Sequence, residues 1–288
     1  MAKLMPLRDL ATCYDGLFCD IWGVLHNGVA AFPDAVDALC RYREQGGKVI
    51  LITNAPRCNQ IIYSQLDRLG VPREAFDAVV TSGDITKLLL HEQPETPLFH
   101  FGPARDRSIL EGLANPIVDC ADGKLCLLTG PLDDGIESAE IYEALLTEMR
   151  DRGVEVICAN PDLVVKSGTR MVICAGSIAR LYSDLGGKVT HAGKPEAPIY
   201  VAAMARMTTA AGRKLSKGRI LAVGDGLPTD IKGAAQNRFN AYFIAGGIHS
   251  DEMGDMRNPE NLARARSLIG QQNTEVVLAG ICNQLRWT

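Results

Sequence analysis

Short apolar runs alternate with amphipathic stretches along most of this chain. Two of the runs, Leu17–Trp22 and Lys48–Thr53, have the length and apolar content of buried strands. Asp34–Gln45 and Arg57–Leu69 carry apolar residues at near-helical spacing, and glycines end both stretches. Strands that alternate with helices in this way indicate an α/β fold with a parallel sheet and helical crossovers.

The alternation continues through the rest of the chain. In the middle, PLFHFG, KLCLLTG and VEVICAN are predicted strands, and Ser138–Arg150 is a predicted helix. Further on, the pattern predicts helices and strands in turn, at Pro195–Met207, Arg219–Val223, Thr229–Gln236 and Ala241–Ile244. The polar segment Asp251–Asn261 is predicted to be a loop, and a final helix is predicted over Thr274–Leu285.

Composition narrows the class of protein. The chain has 288 residues, of which 47% are hydrophobic and 22% charged, as in an ordinary globular protein with room for two domains. A net charge of -4 does not favour a nucleic-acid partner. No apolar run approaches the roughly 20 residues that cross a bilayer, and the first residues lack a signal-peptide pattern. Nine cysteines without CxxC pairs are typical of a reducing compartment, so we expect a cytoplasmic protein.

Polar residues follow several of the predicted strands. Asp20 ends the apolar run LFCD, Thr53 and Asn54 end KVILITN, and Asp225 follows RILAVG. Open α/β sheets bind their ligands at the carboxyl ends of the strands, so these side chains are candidates for one site. A Gly-x-Gly pair around Asp225 is not a dinucleotide loop, since the third glycine is replaced by Thr229 and the carboxylate would repel a pyrophosphate.

Four motifs in a fixed order resemble the haloacid dehalogenase (HAD) superfamily. They are the nucleophile motif around Asp20, the hydroxyl motif ending at Thr53, the Gly-Lys-Pro motif with Lys194, and Gly-Asp-Gly-x-x-Thr-Asp with Asp225 and Asp230. A wide gap between the second and third motifs resembles class IIA, whose C2-type cap is inserted there. The class includes sugar-phosphate and 4-nitrophenyl-phosphate phosphatases. The resemblance implies a doubly wound, Rossmann-like core over residues 1–83 and 185–288 and an α/β cap over 84–184.

The resemblance also implies a chemistry. Asp20 would attack phosphorus to form an aspartyl-phosphate, which water then hydrolyses. Mg²⁺ would bind to Asp20, Asp225 and the backbone carbonyl of Trp22, while Asp230 would act through water or hold Lys194. Mg²⁺ suits this role because it prefers hard oxygen ligands and bridges carboxylates and phosphates.

Other residues would hold the substrate. By the same resemblance, Thr53, the backbone N–H of Asn54 and Lys194 would bind the phosphate. In the predicted cap, ANPDLVVKSGTR resembles a segment of the subclass in which Asn160 and Asp162 form a turn that faces the core and contacts the substrate. Lys166 and Arg170 could meet polar groups of the substrate or lie in solvent.

Trp22 departs from the family pattern, which usually has a second Asp at this position as the general acid. An indole N–H does not titrate, so it cannot replace a carboxylic acid. Trp22 could close the site, stack on a substrate ring, or mark a loss of activity. His26, four residues further on, titrates near neutrality and could supply the proton, although a histidine without a catalytic role is the simpler interpretation.

Two functions from different classes remain open from the sequence. The leading one is a Mg²⁺-dependent phosphatase, slow for lack of its usual acid, that acts on a small phosphorylated metabolite such as a sugar phosphate. The alternative is a weak or inactive relative that binds a phosphorylated ligand or a protein partner. Cleavage of a C–halogen or C–P bond is a third idea, but a metal-free dehalogenase would not need Asp225 and Asp230. Capped members of the family often dimerise, so a homodimer is an expectation.

Overall fold

The structure is a computed structural model that describes residues 3–133, 135, 138–167, 170–271 and 275–288. Its strands are β1 (Gly16–Asp20), β2 (Lys48–Thr53), β3 (Ala78–Thr81), β4 (Leu98–Phe101), β5 (Leu125–Leu128), β6 (Glu155–Cys158), β7 (Val164–Ser167), β8 (Arg170–Ile173), β9 (Lys188–His191), β10 (Ile220–Gly224), β11 (Asn240–Ile244) and β12 (Leu278–Cys282). The helices are α1 (Pro33–Glu44), α2 (Asn59–Arg68), α3 (Ser82–His91), α4 (Glu143–Asp151), α5 (Ala175–Asp184), α6 (Ala197–Ala211), α7 (Lys232–Gln236), α8 (Ser250–Met253) and α9 (Pro259–Gly270).

Six parallel strands form the core sheet, in the order β12-β11-β10-β1-β2-β3. Both faces of this sheet are buried, as the alternating residues of β1 show. Leu17 packs on the side of α1 and α2, whereas Phe18 packs on the side of α6 and α9. A sheet that is covered by helices on both faces is a doubly wound α/β core, so the predicted fold class is confirmed. The carboxyl ends of β1, β2 and β10 lie side by side at one edge.

The segment between β3 and α6 forms a second α/β unit, the cap. Its sheet has four parallel strands in the order β4-β5-β6-β9, with α4 and α5 packed on one face. The antiparallel hairpin β7–β8 is separate from this sheet, and in it Val165 pairs with Val172. Because β9 pairs with β6, the second sheet continues to His191, past the expected cap boundary at residue 184.

The last predicted helix is wrong. Leu278–Cys282 is a strand that pairs in parallel with β11 at the edge of the core sheet. Ile281 packs on one face of the sheet and Cys282 on the other, and burial on both faces makes a short apolar run ambiguous between helix and strand. Residue 274, where the helix was expected to begin, lies outside the described residues.

The predicted loop at Asp251–Asn261 is also wrong in part. Helix α8 occupies Ser250–Met253, and α9 begins at Pro259. The Asn258 side chain accepts a hydrogen bond from the Glu260 N–H at 2.9 Å, which caps α9 at its start. Asn followed by Pro at the first helical position was the signal for this helix. Ser138–Arg150 differs less, since a 3₁₀ turn over Ala139–Tyr142 precedes α4.

Candidate active site

Three neighbouring strands deliver the predicted catalytic residues to one place. Asp20 is the last residue of β1, Thr53 the last of β2, and Asp225 follows β10 directly. Asp230 lies in a π-helical turn over Leu227–Ile231, after the same strand. Ligand oxygen atoms of Asp20, Asp225 and Asp230 lie within 4.8 Å of one another, and all three residues are buried. The structure therefore brings together side chains that are far apart in the sequence.

Lys194 connects these carboxylates. Its Nζ donates to Asp20 Oδ1 and, at 2.7 Å, to Asp230 Oδ1. Burial by itself would lower the pKa of Lys194, but the surrounding carboxylates, with Asp20 foremost, raise it well above its usual value. Lys194 therefore carries a full positive charge between two of the three acids. Of the two roles that the sequence left open for Asp230, the structure shows the contact with Lys194.

Asn54 positions Lys194 through its backbone. The Asn54 Oδ1 accepts from the Lys194 N–H at 2.7 Å, and the Asn54 Nδ2 donates to the Lys194 carbonyl at 3.2 Å. The same Nδ2 also donates to Asp162 Oδ1 in the cap at 2.9 Å. The sequence singled out the backbone N–H of Asn54 for the phosphate. The structure adds a role for its side chain, which links the core, the lysine and the cap.

Asp225 is held in a tight backbone cradle. Its Oδ2 accepts from the Ile248 N–H at 2.6 Å. A Cβ on Gly23 or on Gly247 would lie only 2.1 or 1.9 Å from that oxygen, so both positions require glycine. Burial, with the neighbouring Asp230, raises the pKa of Asp225 from 3.8 to about 7. The sequence analysis did not identify Ile248 and Gly247 as residues of the site. Both lie in the turn after β11, where no sequence pattern marked them.

The acidic cluster fits a hard divalent cation. Three buried carboxylates face one ammonium group, and the raised pKa of Asp225 reflects this excess of negative charge. Oxygen ligands in this number suit Mg²⁺ or Ca²⁺ better than a softer metal. Asp20, Asp225 and the carbonyl of Trp22 stay the predicted ligands.

Trp22 contacts the cap. Its indole Nε1–H donates to the backbone carbonyl of Lys166, in β7, at 2.8 Å. On the other side, its ring lies edge-on to His26, with ring centroids 5.2 Å apart. A Cβ at Gly28 would lie 2.5 Å from the indole, so a glycine is needed there for the ring to fit. This contact joins Trp22 to the cap, and which of the three roles Trp22 has stays a prediction.

The side chain of Lys166 makes a second contact between the hairpin and the core. Its Nζ lies 3.0 Å from each carboxylate oxygen of Asp251 and 3.2 Å from Ser250 Oγ. We call this contact and that of Trp22 the hairpin clamp. The sequence analysis singled out neither Ser250 nor Asp251, since Asp251 begins the segment that was predicted to be a loop and Ser250 directly precedes it.

His26 is unsuited to replace the missing acid. It is 1% exposed, and its Nδ1 accepts from the Gly28 N–H at 3.0 Å. Burial lowers its pKa to about 4, so it is neutral at physiological pH. A neutral imidazole is a poor proton donor. His26 also lines a different cavity from the one that contains Asp20.

Two cavities lie between the core and the cap. The first, about 350 Å³, contains Asp20 and Lys194, and the second, about 290 Å³, lies beside Arg57 and His26. Asp162 lines both cavities, whereas Asn160 lines the second. Among the predicted cap residues, Asp162 and Lys166 therefore reach the cavity with Asp20.

Arg170 lies elsewhere, where its guanidinium donates to the Gly135 carbonyl at 2.8 Å. Asn160 accepts from the Asp162 N–H at 3.1 Å, so it forms the predicted turn. Substrate contacts of Asn160 and Asp162 stay a prediction.

Sequence comparison agrees with this site. A model of the haloacid dehalogenase-like hydrolases matches residues 17–114, and a second HAD-hydrolase-like model matches residues 191–265. Together they include each of the four motifs. The chain belongs to the haloacid dehalogenase-like hydrolases. No curated protein matches it significantly in sequence.

Solved structures of HAD-like hydrolases resemble this one over nearly their whole length. One from Brucella suis 1330 is 38% identical, with a TM-score of 0.86 over 97% of this chain and 98% of that chain. A possible sugar phosphatase from Cytophaga hutchinsonii is 21% identical, with a TM-score of 0.77 over 99% and 98%. A 4-nitrophenylphosphatase from Thermotoga maritima is 22% identical, with a TM-score of 0.66 over 94% and 95%. At these lower identities the likeness shows the fold. Within the described residues, no helix has the length and apolarity to cross a membrane.

Binding of Mg²⁺ to this HAD-like hydrolase should strengthen as pH rises. Below about pH 7 a cation must displace the proton on Asp225, and above it no longer has to. Without a cation, the raised pKa of Asp225 costs stability as pH rises from its usual 3.8 towards 7. We expect Mg²⁺ to raise the melting temperature more at about pH 8 than at about pH 5.5. Equal shifts at the two pH values, or an undiminished shift in Asp225→Asn, would contradict this.

Replacing Trp22 by Phe should loosen the hairpin clamp. The variant keeps an aromatic ring but loses the N–H that donates to Lys166. One hydrogen bond contributes about 0.5–1.5 kcal/mol net. The equilibrium constant for contact between the hairpin and the core should therefore fall roughly 2- to 10-fold. Amide hydrogen exchange of β7 should accelerate accordingly. Trp287→Phe, in the core away from the cap, is the matched control and should leave exchange in β7 unchanged. Equal exchange in both variants would contradict the clamp.

Proposed function

We propose that the protein is a Mg²⁺-dependent phosphatase that hydrolyses a small phosphorylated metabolite through an aspartyl-phosphate on Asp20. The observation that carries this proposal is the position of Asp20, at the end of the central strand β1, against Lys194 and within 4.8 Å of two further carboxylates. Two of the similar structures are described as phosphatases, which supports the reaction class. Sugar phosphates are one substrate class to test.

The obstacle to this reaction is electrostatic, because a carboxylate must approach a phosphate dianion. Bound Mg²⁺ would neutralise part of that charge and orient a phosphoryl oxygen. Asp20, Asp225 and the Trp22 carbonyl would hold the ion, and Asp230 would keep its contact with Lys194. The Lys194 ammonium, which Asn54 fixes in place, would bind a second phosphoryl oxygen.

The remaining steps fall to residues of the strand ends. The Thr53 hydroxyl would donate to the phosphate, together with the Asn54 N–H. An Asp20 oxygen would form the new P–O bond as the bond to the leaving oxygen breaks. Water would then attack the aspartyl-phosphate, releasing phosphate and restoring Asp20. Trp22 cannot donate the proton that the leaving oxygen needs, so we expect slow turnover of alkyl phosphates.

A second candidate function is the binding of a phosphorylated ligand or a protein partner with little or no catalysis. The observation that favours it concerns position 22. The usual general acid is replaced there by an indole, whose N–H donates to the Lys166 carbonyl. The nine cysteines are thiols that form no disulfides with one another, which fits the proposed cytoplasmic location. A homodimer stays a prediction, which light scattering would test.

Replacing Asp20 by Asn should abolish hydrolysis of every phosphate monoester. The amide is a poor nucleophile, while the size of the side chain is preserved. Turnover of 4-nitrophenyl phosphate with Mg²⁺ is the measurement. Because Asn also removes one of the crowded charges, the variant should fold and bind inorganic phosphate. Residual turnover close to that of the unaltered protein would exclude Asp20 as the nucleophile.

Replacing Trp22 by Asp should raise turnover of alkyl phosphates by up to about 10²-fold, at the low end of general-acid contributions. The gain on 4-nitrophenyl phosphate should be smaller, since its leaving group hardly needs a proton. A void in place of the indole and the lost contact with Lys166 would reduce the gain. Fast turnover of alkyl phosphates by the unaltered protein, without any gain in Trp22→Asp, would show that another group donates the proton.

A further inference from the structure

Two polar side chains that the proposed mechanism does not use line the cavity beside Asp20. Asn27 lies in the loop between β1 and α1, and His249 lies in the turn between β11 and α8. Ile248, the residue before His249, donates its N–H to Asp225. Both side chains therefore border the space next to the phosphate and metal positions. A role for them in binding the leaving group rests on the proposed phosphatase function.

Asn27 has one engaged end and one free end. Its Oδ1 accepts from the N–H groups of Val29 and Ala30, at 3.0 and 2.9 Å. This turn fixes the orientation of the amide, since the oxygen has to face those two groups. The Nδ2 carries two N–H donors, and it has no hydrogen-bond partner among the described residues. Asn27 therefore presents a donor whose partner the protein does not provide.

The ring of His249 is likewise engaged at one nitrogen only. Its Nδ1 lies 3.3 Å from Glu252 Oε2. A carboxylate can only accept, so this contact places a proton on Nδ1 and makes Nε2 of the neutral ring an acceptor. Within the part of the chain that the structure describes, Nε2 is buried without a hydrogen-bond partner. Such an atom is unfavourable in a folded protein, and a partner on a bound molecule would remove that cost.

The free donor of Asn27 and the free acceptor of His249 call for a particular chemical group. A hydroxyl accepts and donates at the same time, so it matches both side chains. A carboxylate or carbonyl oxygen would satisfy Asn27 alone, and a methyl group would satisfy neither. Lys166, another polar side chain of the same cavity, differs from this pair because its Nζ already contacts Ser250 and Asp251.

Movement of the cap hairpin connects His249 to substrate entry. His249 directly precedes Ser250 and Asp251, the core residues that the Lys166 side chain contacts in the hairpin clamp. Nε2 is sealed from water in this structure. We expect it to become accessible when the hairpin moves away from this segment, as it has to do for a substrate to enter.

We propose that Asn27 and His249, the recognition pair, determine specificity by holding a hydroxyl group of the leaving alcohol. The Asn27 Nδ2 donates to the oxygen of that hydroxyl, and the hydroxyl donates to His249 Nε2. The phosphate group stays with Lys194 and the metal position. The recognition pair therefore orients the other end of the substrate and takes no part in the changes of bonding.

Matched phosphate esters test this proposal by binding alone. In 2-hydroxyethyl and propyl phosphate, and in 3-hydroxypropyl and butyl phosphate, a hydroxyl and a methyl group occupy the same position. Dissociation constants are measured by calorimetry with Mg²⁺ and the Asp20→Asn variant, so that turnover is not needed. In at least one pair we expect the hydroxyalkyl ester to bind about tenfold more tightly, because two hydrogen bonds are gained. It should also bind more tightly than 2-carboxyethyl phosphate.

Three further substitutions, each combined with Asp20→Asn, assign the preference to the recognition pair. Asn27→Ser keeps an oxygen for the turn but removes the amide donor. His249→Asn keeps an N–H for Glu252 but removes the group at the position of Nε2, whereas His249→Gln keeps a polar group there. We expect the preference for hydroxyl over methyl to fall to about threefold or less in Asn27→Ser and in His249→Asn, and to be largely kept in His249→Gln. Inorganic phosphate should bind to all of them equally, which controls for folding.

Each outcome decides a different point. Equal binding of both hydroxyalkyl esters and their alkyl counterparts would overturn the recognition pair. An unchanged preference in Asn27→Ser or in His249→Asn would overturn the role of that residue. Tighter binding of 2-carboxyethyl than of 3-hydroxypropyl phosphate would overturn Nε2 as an acceptor for a hydroxyl.

Turnover by the unaltered protein separates this inference from the proposed function. If the binding preference is found but none of these esters and no 4-nitrophenyl phosphate is hydrolysed, the phosphatase is excluded and a binding site for a phosphorylated hydroxy compound stands. If the esters are hydrolysed without any preference for the hydroxyl, the phosphatase stands and the recognition pair is excluded.

Discussion

Crowding of like charges at the end of β1 is the constraint around which this molecule is built. Asp20, Asp225 and Asp230 lie together in a buried space with the single ammonium of Lys194. Buried carboxylates in such proximity are costly unless a cation or a proton relieves them. Much of the surrounding structure serves to hold them there. Gly23 and Gly247 leave room for Asp225, and Asn54 fixes the backbone of Lys194.

The core and its catalytic residues could be predicted from the sequence because the information is local. Each motif consists of a buried strand and the polar residue that ends it, and parallel strands place such ends at one edge. Asp20, Thr53 and Asp225 meet for this reason. The prediction of helix or strand was wrong at β12, because burial on both faces removed the periodicity. It was also wrong at α9, because the short capping signal before that helix stood in a polar segment.

Contacts between the core and the cap could not be predicted in the same way. The hairpin clamp joins Trp22 and Asp251 to one cap residue, Lys166, and the relevant sequence separations are 144 and 85 residues. No periodicity or short motif encodes a pairing across such distances. The low pKa of His26 likewise depends on its burial, which only the folded chain reveals.

The contact of Trp22 with the cap has a consequence for how this protein can evolve. Its indole donates to the main-chain carbonyl at position 166, and every amino acid provides that acceptor. Mutations along β7 can therefore exchange the side chains that face the cavity without removing this docking point. Selection could remodel what the cap recognises while the way it seats on the core is inherited unchanged. Because of the residue at position 22, the choice of substrate can change during evolution while the contact that joins the cap to the core is kept.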